Sequence, residues 1–304
     1  MDKRKYFIIT VDTEEDKQWD PIPCFTTENS HFIPRFQNLC EKYGFKPVYL
    51  VTYLMAKDEF FVNYIKPFFK TNRCEIGMHM HAWTTPPEHP IDKCIKKPFI
   101  IEYPNDIIEK KVAVLTELLS STFGQKIESH RSGRWVVDDN YLGILKKYGY
   151  KIDCSFTPYI NWSRVKGGLD TSGTNYNKFN SSVFNESFLE VPVSIIKRRT
   201  FSRDEKLLKN IKNIIFGKSF WMRPNSNFNS LRNMIKVIDD KYRNNPLVFM
   251  IHSSELMPGC SPEFPDEESI SELYSQLEKV FDYLKINGYV GVTLKEYYSL
   301  NGGE

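Results

Sequence analysis

The 304-residue sequence predicts a parallel α/β fold, closed or nearly closed into a barrel. Three observations carry that expectation. Short apolar, β-branched runs alternate with amphipathic stretches along the whole chain. Roughly eight such runs fall in about 300 residues, a density that suits a barrel better than an open sheet. Polar residues cluster where those runs end, at Asp12 and Glu14, His79 and His81, Arg131, Asp153 and His252. A site on the C-terminal rim of a barrel produces that distribution, whereas a purely structural role would scatter them.

Taken in order, Tyr6-Phe7-Ile8-Ile9-Thr10-Val11 is a buried-strand run that stops at Asp12-Thr13-Glu14-Glu15-Asp16. An acidic loop is usually just solvated, but two carboxylates directly after the first buried strand stand where ligand sites form. His31 to Tyr43 reads as a helix capped by Gly44, and Pro47-Val48-Tyr49-Leu50-Val51 as the second strand. Glu59 to Lys70 has helical spacing. In the strand that follows, side chains alternate faces, so His79 and His81 share one side and Ile76, Met78 and Met80 the other. Two imidazoles at one strand end can ligate a metal ion. The alternative is one core histidine with its own hydrogen bond and one that faces solvent.

Residues 83–104 are rich in Pro and Lys and read as a surface loop beside the histidines, a candidate lid, with His89 exposed. Asn105 to Phe123 is an amphipathic helix ended by Gly124. Lys126 to Arg131 reads as a strand, Asp138 to Lys147 as a helix and Tyr150 to Ser155 as a strand. Residues 156–187 have no periodicity and read as a loop insertion. Phe188 to Ile195 is a strand interrupted by Pro192, and the basic, mixed segment 197–229 supports no assignment. Ser230 to Tyr242 is helical. Leu247-Val248-Phe249-Met250-Ile251 is a strand ending on His252, and a helix from Ser269 to Asn287 precedes the last strand, Tyr289 to Leu294. With no repeat or linker, residues 1–304 read as a single domain.

Composition bounds the function. Hydrophobic residues at 41% and charged residues at 26% suit a soluble enzyme, and a net charge of +3 is too small to make nucleic acid or an anionic membrane the main partner. Aromatics at 14% leave rings to line a pocket as well as a core. Cys24, Cys40, Cys74, Cys94, Cys154 and Cys260 have no disulfide-like spacing, so free thiols in a reducing compartment are expected. The N-terminal apolar run is too short for a signal peptide, and no window has the apolar length of a transmembrane helix. A cytoplasmic location is the expectation.

In this order the motifs resemble the polysaccharide deacetylase family of carbohydrate esterases, the NodB-homology fold, from about Tyr6 to the last strand. Val11-Asp12-Thr13-Glu14 is similar to that family's acidic first motif, which implies Asp12 as base and Glu14 as metal ligand. The second motif supplies two histidines, most often four apart. Here Trp83 stands fourth after His79, and His81 is the replacement, in a Gly-x-His-x-His-x-Trp form resembling a subgroup linked to bacterial surface polysaccharides. Arg131 matches the arginine that pairs with the catalytic aspartate, Met250-Ile251-His252-Ser253 matches the final motif, and Asp153 matches a carboxylate that orients the final histidine.

The resemblance implies a distorted (β/α)7 barrel that removes an acetyl group from an N-acetylated sugar or surface-polysaccharide precursor. It further implies one divalent metal, Zn2+ by preference, on Glu14, His79 and His81, with Asp12 as base, His252 as acid, and Arg131 and Asp153 supporting them. Arg131 has the alternative of a structural salt bridge, and Asp153 that of a local cap or pair. Trp83, Trp135 and Trp221 are candidate sugar-stacking surfaces, with core packing as their alternative. An inactive member of the same fold that binds carbohydrate or a partner is the competing function.

Overall fold

The computed structural model describes residues 4–18, 25–91, 97–165, 168–169, 188–200, 207–242 and 245–302. The chain starts with β1 (Lys5–Thr13), whose alternating residues set the layers of the molecule. Phe7, Ile9 and Val11 join the large core beneath the helices, while Ile8 belongs to a second, inner cluster. Then come α1 (Ile33–Lys42), β2 (Pro47–Val51), α2 (Glu59–Lys70), β3 (Glu75–Met80), α3 (Asn105–Phe123), β4 (Ser129–Ser132), α4 (Asp139–Lys147) and β5 (Ile152–Asp153). The second half holds β6 (Leu189–Glu190), β7 (Ile195–Arg198), α5 (Leu207–Phe216), β8 (Lys218–Trp221), α6 (Phe228–Lys241), β9 (Leu247–His252), α7 (Glu267–Ile286), β10 (Tyr289–Gly291) and α8 (Leu294–Leu300).

Eight strands make one parallel sheet in the order β10-β1-β2-β3-β4-β5-β6, with β9 on the other edge of β1. The sheet curls into a distorted half-barrel. Beyond β6 the circle is completed by irregular backbone: Val191 N–H donates to Asp153 O, Ser194 N–H to Val248 O, and Met250 N–H to Met222 O. The barrel's inner face packs Ile8, Val48, Leu50, Ile152 and Val248 against Leu294, Tyr297 and Tyr298, so α8 plugs the N-terminal end of the strands. The other end holds polar side chains.

Several expected boundaries move. The strand read at 126–131 is shorter and later, because Lys126 to Glu128 approach it as coil. Phe188 to Ile195 is two short strands with Pro192 between them, as a residue without an N–H requires. The last strand stops at Gly291, and Leu294 starts α8, capped by the Thr293 hydroxyl. The segment that supported no assignment holds the end of β7, all of α5 and all of β8, the two strands forming a separate antiparallel hairpin. Much of the 156–187 insertion and part of the 83–104 loop lie outside the described residues. Cys40, Cys74, Cys154 and Cys260 are free thiols, and Cys24 and Cys94 are outside the described residues. No described helix is long and apolar enough to cross a membrane.

Candidate metal centre

Strand alternation builds the site. On β1, Thr10 and Asp12 continue the inward face begun by Ile8; on β9, His252 continues that of Val248 and Met250. Asp12 and His252 are register partners across the β1–β9 ladder. Arg131 on β4 lies beside His79 on β3 by the same logic. Four strand ends, those of β1, β3, β4 and β9, therefore deliver their polar side chains to one buried place.

Two imidazoles and a carboxylate converge there. Glu14 Oε2 is 3.1 Å from His81 Nε2 and 3.6 Å from His79 Nε2. One ligand atom from each of the three lies within 4.8 Å of the others. The other ring nitrogens are already committed. His79 Nδ1–H donates to the Arg131 carbonyl at 3.1 Å, and His81 Nδ1–H donates to Glu15 Oε2 at 2.9 Å. In the neutral rings this leaves each Nε2 with a lone pair aimed at the common centre, the tautomer that metal ligation requires. This donor set fits a divalent cation. Burial lowers the His81 imidazole, but the Glu15 and Glu14 carboxylates outweigh it and raise the ring to about 9. An environment that favours a proton so strongly also favours a cation in its place.

Glu14 is pinned by its backbone, whose N–H donates to Ser253 Oγ at 3.0 Å and whose carbonyl accepts from Asn29 Nδ2 at 2.9 Å. Glu15 is tied down by the Thr84 hydroxyl at 2.9 Å. Gly133 makes room for His81: a Cβ there would stand 2.8 Å from the ring and 2.5 Å from Met80 O. The Trp83 indole stacks on the other side, 4.3 Å between centroids.

Asp12 sits between the two halves of the site. Its Oδ1 accepts from Arg131 Nη1 at 2.5 Å, and its Oδ2 is 4.0 Å from His79 Nε2 and 3.9 Å from His252 Nε2. Burial pushes the Asp12 carboxyl up, but Arg131 and the two histidines more than reverse it and hold the group below its ordinary value. Arg131 is itself fully buried, donating also to Thr10 Oγ1 at 3.0 Å and Cys154 O at 3.0 Å. Trp135 lies over its guanidinium at 4.8 Å and meets Trp221 edge-on at 5.4 Å. Arg134 and Trp135 both have positive φ, 58° and 69°, strained backbone that sets the indole over this rim.

His252 has a partner that the sequence did not disclose. A single 3-10 turn, Ser253–Leu256, brings Glu255 back onto the strand end. There Glu255 Oε2 accepts from His252 N–H at 2.8 Å and from Nδ1–H at 3.1 Å, and Arg223 holds its other oxygen at 3.0 Å. Burial lowers His252, but Glu14 and Glu255 outweigh it and the imidazole is raised.

Asp153, expected to orient His252, is instead bonded to His130 Nδ1 at 2.6 Å and Ser155 Oγ at 2.8 Å. The reason is parity. Asp153 pairs in register with His130, which alternates with the inward-pointing Arg131 and so faces the helices, where Tyr141 OH lies 2.7 Å from its Nε2. Residue spacing alone could have hinted at Glu255, an i+3 carboxylate after a strand-ending histidine. Glu15 was visible only as one acid among four.

No protein-family model matches the chain, and no curated protein sequence matches it. Solved structures do. The 4-α-glucanotransferase from Thermococcus litoralis aligns at TM-score 0.54 and 12% identity, over 98% of this chain and 40% of that one. A family 4 acetyl xylan esterase from Clostridium thermocellum, in complex with a cobalt ion, aligns at TM-score 0.49 and 13% identity, over 99% and 93%. A peptidoglycan N-acetylglucosamine deacetylase aligns at TM-score 0.49 and 12% identity, over 97% and 88%. At such identities the likeness is one of fold alone.

Proposed function

We propose that the chain is a divalent-metal-dependent hydrolase that removes an acetyl group from an N-acetylated sugar or surface-polysaccharide precursor. The observation that carries this reading is the convergence of the Glu14/His79/His81 donor set, the Arg131-paired Asp12 and the Glu255-paired His252 within 4 Å steps of one another. The order of these residues along the chain, which resembles the deacetylase motifs, supports it independently. Two imidazoles and a carboxylate with open positions suit Zn2+ best.

When bound, the ion supplies polarisation of the acetyl carbonyl and acidification of water. The chain's own residues supply the rest. Asp12 is held ionised and aimed by Arg131, so it can take the proton of an attacking water. The Glu14 and Glu255 carboxylates favour the protonated form of His252 against the opposite push of burial, so it can give a proton to the sugar nitrogen as its bond to the acetyl carbon breaks. Trp83, Trp135 and Trp221, each half-buried at this rim, offer indole faces to a pyranose ring.

Metal content by mass spectrometry, on protein purified without added metal or chelator, tests the first half. About one ion per chain is expected in wild type, and none in Glu14→Gln or His81→Ala. Acetate release from N-acetylated sugar nucleotides tests the second. Asp12→Asn should keep the ion and lose on the order of 10²–10⁴ in rate. A wild-type protein that stays metal-free after zinc is supplied overturns the reading.

A further inference from the structure

The helix α5 is built inside out. Its sequence, Leu-Leu-Lys-Asn-Ile-Lys-Asn-Ile-Ile-Phe, has the apolar residues of a core-facing helix. Yet Leu208 is 81% exposed, Phe216 63%, Ile215 55%, Ile214 47% and Ile211 44%. Among the described side chains of this helix, the buried one is the polar Asn213. Five of the ten large apolar side chains exposed among the described residues therefore lie on this one helix, where scattered single exposures would be ordinary. Leu208, Ile211 and Ile215 recur at three- and four-residue spacing and make a continuous outward stripe.

The stretch of sequence around the stripe is basic on balance. Segment 197–218 carries eight basic and two acidic residues, although the whole chain has a net charge of only +3. Lys197, Arg198 and Arg199, at the end of β7, are exposed. They adjoin the helix directly: Gly217, at φ +77°, turns α5 into β8, and a Cβ there would lie 3.0 Å from Lys197 Cγ and 3.3 Å from Arg198 O. An apolar stripe flanked by basic side chains is complementary to a bilayer with anionic headgroups, not to a second copy of itself, since the same basic cluster would meet its own charge. The hairpin that carries α5 also reaches the metal centre, through Trp221 against Trp135 and Arg223 against Glu255.

We propose that α5, with Lys197, Arg198 and Arg199, is an interfacial helix that docks the chain on an anionic membrane surface. The helix lies in the headgroup plane, its apolar stripe reaches the acyl boundary and the basic residues meet the headgroups. The rim that bears the candidate site is thereby held close to the bilayer. This docking is independent of what reaction the site performs.

Flotation of the full chain with vesicles tests it, using phosphatidylcholine alone against an equal mixture of phosphatidylcholine and phosphatidylglycerol. Wild type should float with the anionic vesicles and do so less as salt rises. The Ile211→Ser/Ile215→Ser variant should bind at least about tenfold more weakly, with an unchanged thermal melt, because both side chains are exposed. The Lys197→Glu/Arg198→Glu variant, which leaves the stripe intact, should lose roughly fivefold or more per residue on anionic vesicles. Metal content should be untouched in both variants, which separates this test from that of the hydrolase reading. The proposal is overturned if wild type floats with neither vesicle, or floats equally well with both variants. A vesicle-free dimer that the serine variant dissolves, without any flotation, likewise overturns it in favour of a second copy as the occupant.

Discussion

At the scale of single residues, the chemistry of His252 is set by a carboxylate three positions along the chain. Glu255 is fully buried, engages both the backbone and the ring of His252, and is fixed in turn by Arg223. Its charge helps to keep the imidazole protonated. Glu255→Gln keeps the shape and removes the charge. The expected result is a kcat lower by about tenfold to a hundredfold, as for other partners behind a working imidazole, with KM little changed. The alkaline limb of the pH–rate profile should move to lower pH, because a less favoured imidazolium loses its proton sooner. A raised KM at full kcat would place Glu255 in substrate binding instead. Six of the seven residues singled out from sequence meet in one place because each follows its strand's alternation from a buried run. The seventh, Asp153, fails on one bit of information that no single strand contains: which face of β5 lies in register with Arg131 rather than His130.

At the scale of elements, the loop after the histidines is fastened by a side chain from a neighbouring helix. Lys111 on α3 is buried, and its ammonium donates to Thr85 O at 2.6 Å and Pro87 O at 2.7 Å while lying 4.8 Å from the Tyr103 ring. Burial pulls the group down to about 8, the opposing effect of Glu88 being smaller. Lys111→Met retains the stem and leaves two carbonyls without their donor, which should cost on the order of 3 kcal/mol. Thermal unfolding should show this as a lower midpoint, and hydrogen exchange should speed up around residues 82–91. An unchanged midpoint with unchanged exchange would show that the clamp is dispensable. The sequence disclosed α3 and α7 well because both have an apolar stripe that faces a core. It hid α5 because Lys and Asn interrupt its apolar residues within a basic, mixed segment, and β8 and α8 because four residues of strand or two turns of helix carry too little periodicity to read.

At the scale of the whole molecule, the weak point of the barrel is its closure. An expectation of a barrel from alternating elements was sound, but the number of ladder strands could not be read, since beyond β6 the circle is finished by irregular backbone. Glu190 stands on β6, the last strand of the ladder, in register with Asp153. Both carboxyls are buried, and like charges so placed repel. Asp153 takes the charge, since burial's upward push on it is outweighed by His130. Glu190 takes the proton: burial first, and then Asp153, push it well above 4.5. Between that ordinary value and its raised native one, the folded chain holds a proton that the unfolded chain releases. The unfolded state then binds fewer protons, so this group's contribution to stability falls as pH rises through the window. Glu190→Gln mimics the protonated carboxyl at every pH and removes the slope. Urea unfolding should find the variant more stable than wild type at neutral and alkaline pH, with the advantage shrinking toward pH 4.5 and gone below it. Parallel stability curves for the two proteins would mean that Glu190 ionises in the folded barrel, and that the closure tolerates two adjacent buried charges.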